Sequence, residues 1–133
     1  MGMRCRGVRG AITVDANTPE RILEATTELL QEIMRANDLR VEDVASAFFT
    51  TTRDLNAEFP AVAANRLGFT EIALLCGHEM DVPGSLPMCL RVLLHVNTEK
   101  GPNELVHPYL RGAKVIRPDR TYQPDETTEA TTP

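Results

Sequence analysis

Arg91 is the residue whose neighbours most constrain its chemistry. It stands mid-way along Met88–Thr98, where Met88, Leu90, Val92, Leu94 and Val96 alternate with Cys89, Arg91, Leu93, His95 and Asn97. Successive side chains of a strand point to opposite faces. Arg91 therefore lies opposite the apolar face, and a guanidinium there must meet solvent, a partner subunit or an anion. Of the 14 basic residues, all but Lys100 and Lys114 are arginine. The planar guanidinium fork suits carboxylates, although codon usage accounts for the same bias without any ligand. Arg9 sits in a glycine-rich strand, Glu79 in a loop and Tyr109 near a turn-rich stretch. Taken singly, these read as a surface residue, a solvated acid and a packing residue.

Other chemistries have less support. Cys5, Cys76 and Cys89 are odd in number and lack C-x-x-C spacing, and His78, His95 and His107 form no H-x-x-x-H pair. Gly7 and Gly10 do not make a G-x-G-x-x-G fingerprint. The sequence therefore predicts neither a metal site nor a bound cofactor, and its thiols fit a reducing compartment. A net charge of −5 argues against nucleic acid as a partner. Much of that charge lies in 119–133, where Asp119, Asp125, Glu126 and Glu129 oppose only Arg120. No apolar run is long enough to span a membrane, Met1–Arg9 lacks the apolar stretch of a signal peptide, and Gly2 opens no myristoylation motif. The expectation is a soluble, cytoplasmic protein with no membrane partner.

These side chains need elements to position them. Arg4–Val14 reads as a strand in which Gly7 and Gly10 mark a bend or a close approach. Thr18-Pro19-Glu20 is a helix start, and Ile22, Leu23, Thr26, Leu29, Leu30, Ile33 and Met34 give one apolar face before a stop at Asn37. A helical turn at Val41–Val44 leads into a strand over Ala45–Thr52, followed by a polar loop, Arg53–Phe59. Pro60 opens a second helix, Ala61–Leu67, which Gly68 ends. Glu71–Cys76 reads as a strand, Gly77–Pro87 as a long loop and Met88–Thr98 as the long strand. Gly101–Leu110 reads as turn residues with a short helical segment, and Lys114–Ile116 as a last strand. The order βαβαβββ predicts an α/β or α+β sandwich with helices over one sheet face. The single domain spans 1–122, and 123–133, rich in Thr, Asp, Glu and Pro, is expected to be disordered. A domain of this size encloses little pocket volume, which favours sites built between subunits.

In combination the blocks are specific. Arg6-Gly7-Val8-Arg9-Gly10-Ala11, Thr52-Arg53-Asp54-Leu55 followed by Phe59-Pro60-Ala61, Cys76-Gly77-His78-Glu79-Met80-Asp81-Val82, Arg91-Val92, Tyr109-Leu110 and Arg117-Pro118-Asp119 occur in this order. The chain thereby resembles the monofunctional, trimeric chorismate mutases first recognised in bacilli, from about Arg4 to Asp119. The resemblance implies a mixed β-sheet with helices on one face, assembled as a homotrimeric pseudo-barrel with three sites at subunit interfaces. It implies isomerisation of chorismate to prephenate, in the shikimate pathway to phenylalanine and tyrosine, without a cofactor.

The same resemblance implies that Arg9, Arg91, Glu79, Cys76 and Tyr109 line the site from one subunit. Phe59, Ala61 and the segment at Ile116-Arg117 approach from a neighbour. Arg9 and Arg117 would hold the substrate carboxylates, with Tyr109 as a further donor. Arg91 would stabilise the ether oxygen, Glu79 would accept from the ring hydroxyl, and Cys76 would act beside it. Phe59 would exclude water. Where relatives carry basic residues after Phe59-Pro60-Ala61, this chain has Val62 and Asn65, with Arg66 nearby. Two alternatives stand beside this reading. One is an imine deaminase on a similar trimeric scaffold, which the Glu79-to-Arg91 spacing and the Arg6–Ala11 opening do not suit. The other is a non-catalytic, carboxylate-binding regulatory trimer.

Overall fold

A long two-strand partnership forms the centre of the sheet, and a single amphipathic helix covers it. In the computed structural model, which describes residues 2–116, β1 (Arg4–Thr13) runs antiparallel to β4 (Cys89–Thr98) along its whole length. On the other side of β4 lies β2 (Val44–Thr51), also antiparallel, which in turn pairs in parallel with β3 (Ala73–His78). The short β5 (Tyr109–Leu110) adds to β1 in parallel, so the five-stranded order is β3-β2-β4-β1-β5. This is the mixed sheet that the resemblance implied.

The first helix, α1 (Pro19–Ala36), begins where its caps dictate. The Thr18 hydroxyl accepts from the Arg21 N–H at 3.2 Å, Pro19 fills a first-turn position whose N–H would have no partner, and Glu20 faces the positive helix end. Its buried stripe, Ile22, Leu29, Leu30 and Ile33, packs on Val8, Ile12, Phe49, Leu90 and Leu94 from one sheet face. Gly10 lets this helix approach. A Cβ there would lie 2.8 Å from Ile33 Cδ1 and 3.0 Å from Leu29 Cδ1. Gly10→Ala should therefore destabilise the protein by about 1–3 kcal/mol through overpacking, read as a lower denaturation midpoint at unchanged m-value. An unchanged midpoint would mean that the helix moves away freely.

Asn37 ends α1, as the sequence reading expected, and is wholly buried. The second helix, α2 (Ala61–Arg66), follows Pro60, and Gly68 at φ 100° turns the chain out of it. Among the described residues no helix is long and apolar enough to cross a membrane.

Three boundaries differ from expectation by more than one residue. The strand expected from Glu71 starts at Ala73, because Phe69–Glu71 forms a 3₁₀ turn that buries Phe69. It continues through Gly77 and His78, expected in a loop, because the parallel ladder to β2 runs on to Thr51. The final strand is Tyr109–Leu110, whereas Lys114–Ile116 belongs to a 3₁₀ segment, Arg111–Ile116. There Arg111 takes φ 53° and its guanidinium grips the Thr13 carbonyl at 3.2 Å and Glu28 at 2.6 Å, turning the chain over the sheet edge. Ala113 then packs with Ala11, Cys89 and Tyr109 on the face opposite the helices. Arg117 and the tail expected to be disordered, 123–133, lie outside the described residues.

Candidate active site

The sheet face turned away from the helices carries the charged residues. Pairing sets Arg9 beside Leu93 and Ala11 beside Arg91, so Arg9 and Arg91 are diagonal neighbours on one face of adjacent strands. Thr50 on β2 lies across from Arg91, and Phe48 lies across from Leu93. Tyr109, on the edge strand, pairs with Ala11. Glu79 follows β3 directly, its N–H donating to the Thr51 carbonyl at 2.8 Å, which carries the parallel ladder one step further and sets Glu79 on the same face as Thr50. These residues line an open cleft of about 280 Å³.

Within the cleft, Glu79 Oε2 lies 3.5 Å from Arg91 Nε and accepts from the Thr50 hydroxyl at 2.8 Å. Both charged side chains remain partly exposed, at 47% for Arg91 and 31% for Glu79. With one carboxylate set among two guanidiniums, the cleft keeps a positive excess and suits an anion. A pair joined through Nε also leaves the outer nitrogens of the fork for a second acceptor.

Cys76 is not brought together with Arg91. It lies opposite Phe49, a core residue, whereas its neighbour Gly77 lies opposite Thr50. Strand alternation thus turns Cys76 to the helix side, where it packs against the core near Ala61. It lines a second cleft, of about 350 Å³, with Phe59, Pro60 and His78. Phe59 is 67% exposed there. The expected site residues therefore fall into two groups within one chain. Arg9, Arg91, Glu79 and Tyr109 share the open sheet face, and Phe59, Ala61 and Cys76 share the far side of β3.

Burial pushes the Cys76 thiol up, with a backbone hydrogen bond at Ala61 opposing it. Burial also raises the Cys89 thiol, more than the nearby Arg91 guanidinium lowers it. Both shifts favour the protonated form at neutral pH, so neither cysteine is poised as a thiolate nucleophile.

Sequence reasoning missed Thr50 and Phe48 as part of the cleft. The strand that carries them was expected, but the pairing that sets Thr50 against Arg91 joins residues 41 positions apart and leaves no local signature.

Similarity to known proteins extends over most of the chain. The family model described as chorismate mutase type I matches residues 5–120. The chain is 47% identical over 115 residues to the chorismate mutase AroH of Thermus thermophilus, covering 86% of this chain and 94% of that protein. It is 42% identical over 118 residues to the chorismate mutase AroH of Bacillus subtilis (strain 168), covering 88% and 93%. A solved chorismate mutase from Clostridium thermocellum superposes with a TM-score of 0.82 at 49% identity, over 83% of this chain and 98% of that one.

Proposed function

The chain belongs to the chorismate mutase type I family, and from that premise we propose how its own residues carry the reaction. The activity is the isomerisation of chorismate to prephenate, on the route to the aromatic amino acids. One C–O bond breaks as one C–C bond forms within a single molecule. No proton has to move and no nucleophile is consumed, and two cysteines biased toward the thiol form are compatible with that.

The observation that carries the assignment is the pair of arginines, Arg9 and Arg91, on one open sheet face with Glu79 hydrogen-bonded between strands beside them. Chorismate is a dianion that reacts only from a compact diaxial chair. Arg9 grips one carboxylate, Tyr109 adds a donor, and Arg117 takes part as the second cation. Holding that conformer lowers the barrier by orientation. Negative charge gathers on the ether oxygen as its bond stretches, and the Arg91 guanidinium, fixed by its strand and by Glu79, stabilises that charge. Because the charge exists mainly in the transition state, this interaction raises the rate rather than merely the affinity. Glu79 Oε2 is engaged by Thr50 and Arg91, so Oε1 accepts from the substrate's ring hydroxyl.

The assembly is a homotrimer with sites between neighbours. Leu75, Phe48 and Leu93 form an apolar row across β3, β2 and β4 beside Arg91, and Leu75 is 61% and Phe48 43% exposed. Such a row on a charged face favours coverage by another copy. The separation of Phe59, Ala61 and Cys76 from Arg91 supports the same arrangement. A neighbour supplies all three, so Cys76 moves from the arginine half of the site to the Phe59 half. The free thiols of Cys5, Cys76 and Cys89 suit a cytoplasmic location.

Purified protein should consume chorismate, followed by ultraviolet absorbance, at a rate that chelator leaves unchanged. Absence of turnover in a folded protein would support the regulatory-binder alternative instead.

A further inference from the structure

The Arg9 amide is held by a side chain where the sheet would ordinarily offer a carbonyl. Two residues along, the Ala11 N–H donates to the Pro108 carbonyl at 3.0 Å, within the parallel pairing of β1 and β5. Extending that ladder one step would offer Arg9 the carbonyl of Val106. That carbonyl instead accepts from Asn37 Nδ2 at 2.9 Å, while the Val106 N–H donates to Asn37 Oδ1 at 2.8 Å. Asn37 is wholly buried, so it holds both main-chain groups of Val106 out of the ladder. The Arg9 N–H then donates to Nδ1 of His107 at 3.0 Å. Accepting this bond requires a lone pair on Nδ1, which sets the ring proton of neutral His107 on Nε2.

We propose that His107 is a positioning residue for the reaction, fixing the backbone from which Arg9 reaches the substrate carboxylate. Gly7 and Gly10 bring no side chains of their own to this stretch of β1, so its position rests on its main-chain hydrogen bonds. A guanidinium fork grips a carboxylate only when its base is held in register, so the amide anchor matters more here than in an ordinary strand. His107 does not touch the substrate. It acts through Arg9, and the inference rests on the reading of Arg9 as a carboxylate ligand.

The test compares three replacements. His107→Ala should raise KM for chorismate by about threefold to tenfold, the worth of one neutral hydrogen bond, with kcat little changed. His107→Asn places its amide oxygen near the position of Nδ1 and should restore KM. His107→Gln places it one methylene farther out and should not. In an Arg9→Ala background, adding His107→Ala should leave KM where it is, as expected of a residue acting only through Arg9. In the ¹⁵N-labelled wild type, a through-hydrogen-bond coupling should join the Arg9 amide nitrogen to His107 Nδ1, a readout that needs no variant to fold.

A wild-type KM for His107→Ala, an equal effect with and without Arg9, equal rescue by Asn and Gln, or an absent coupling each overturns the proposal. An Arg9→Ala variant with wild-type KM overturns the underlying reading of Arg9 instead, and is recognisable because the coupling in the wild type would persist.

Discussion

Arg91→Ala is expected to lower kcat by at least about 10²–10³-fold while changing KM far less. Removing a single donor aimed at developing charge costs roughly 3–4 kcal/mol in other oxyanion-stabilising sites, and a guanidinium covered by a neighbouring subunit should cost no less. The split between kcat and KM follows from timing. Chorismate's ether oxygen carries little charge in the ground state, so Arg91 contributes little to substrate binding. Arg91→Lys keeps the charge but loses the planar fork and its link to Glu79, and should recover only part of the rate. Arg9→Ala should give the opposite pattern, a raised KM with a smaller loss of kcat, because a carboxylate is charged in both states. Steady-state kinetics on variants whose assembly has been verified makes the comparison. A normally assembled Arg91→Ala protein that changes only KM would make Arg91 a binding residue and the mechanism wrong.

Arg91 was also the most legible residue in the sequence, and the reason is physical. A strand of ten residues with strict alternation fixes which side chains share a face, wherever the strand ends up. The same holds for α1, whose cap, proline and apolar period each act within a few residues of chain. What stayed hidden was relational. The resemblance grouped Cys76 with Glu79, but on a strand whose ladder runs on through His78, side chains three positions apart point to opposite sides of the sheet. β5 was missed because two residues carry no period, and its pairing depends on β1, nearly a hundred positions away. The 3₁₀ segment that replaced the expected Lys114–Ile116 strand is fixed by Arg111's grip on Thr13 and Glu28, partners that no local pattern names.

Mixing two inactive variants is expected to restore activity, the second large effect. Arg91→Ala cripples the arginine half of the site. Phe59→Asp cripples the other half by setting a carboxylate where a dianion must bind, and Phe59 is exposed enough in the single chain for the change to leave the core alone. Each variant assembled by itself should have almost no activity, since every site in its trimer carries the defect. In a cyclic trimer whose sites lie between neighbours, a mixed assembly pairs an intact arginine half from one subunit with an intact Phe59 half from the next. Random mixing at equal amounts makes both halves intact in about one quarter of sites, so roughly a quarter of wild-type activity should return. Sites contained in one chain could never complement, because every chain bears one defect. The measurement is chorismate consumption after the two variants are unfolded, mixed and refolded together, against each refolded alone. Recovery to about a quarter would place Phe59 and Arg91 on different subunits of one site. Activity no greater than the average of the separate variants, in mixtures shown to contain hybrid trimers, would refute the shared site.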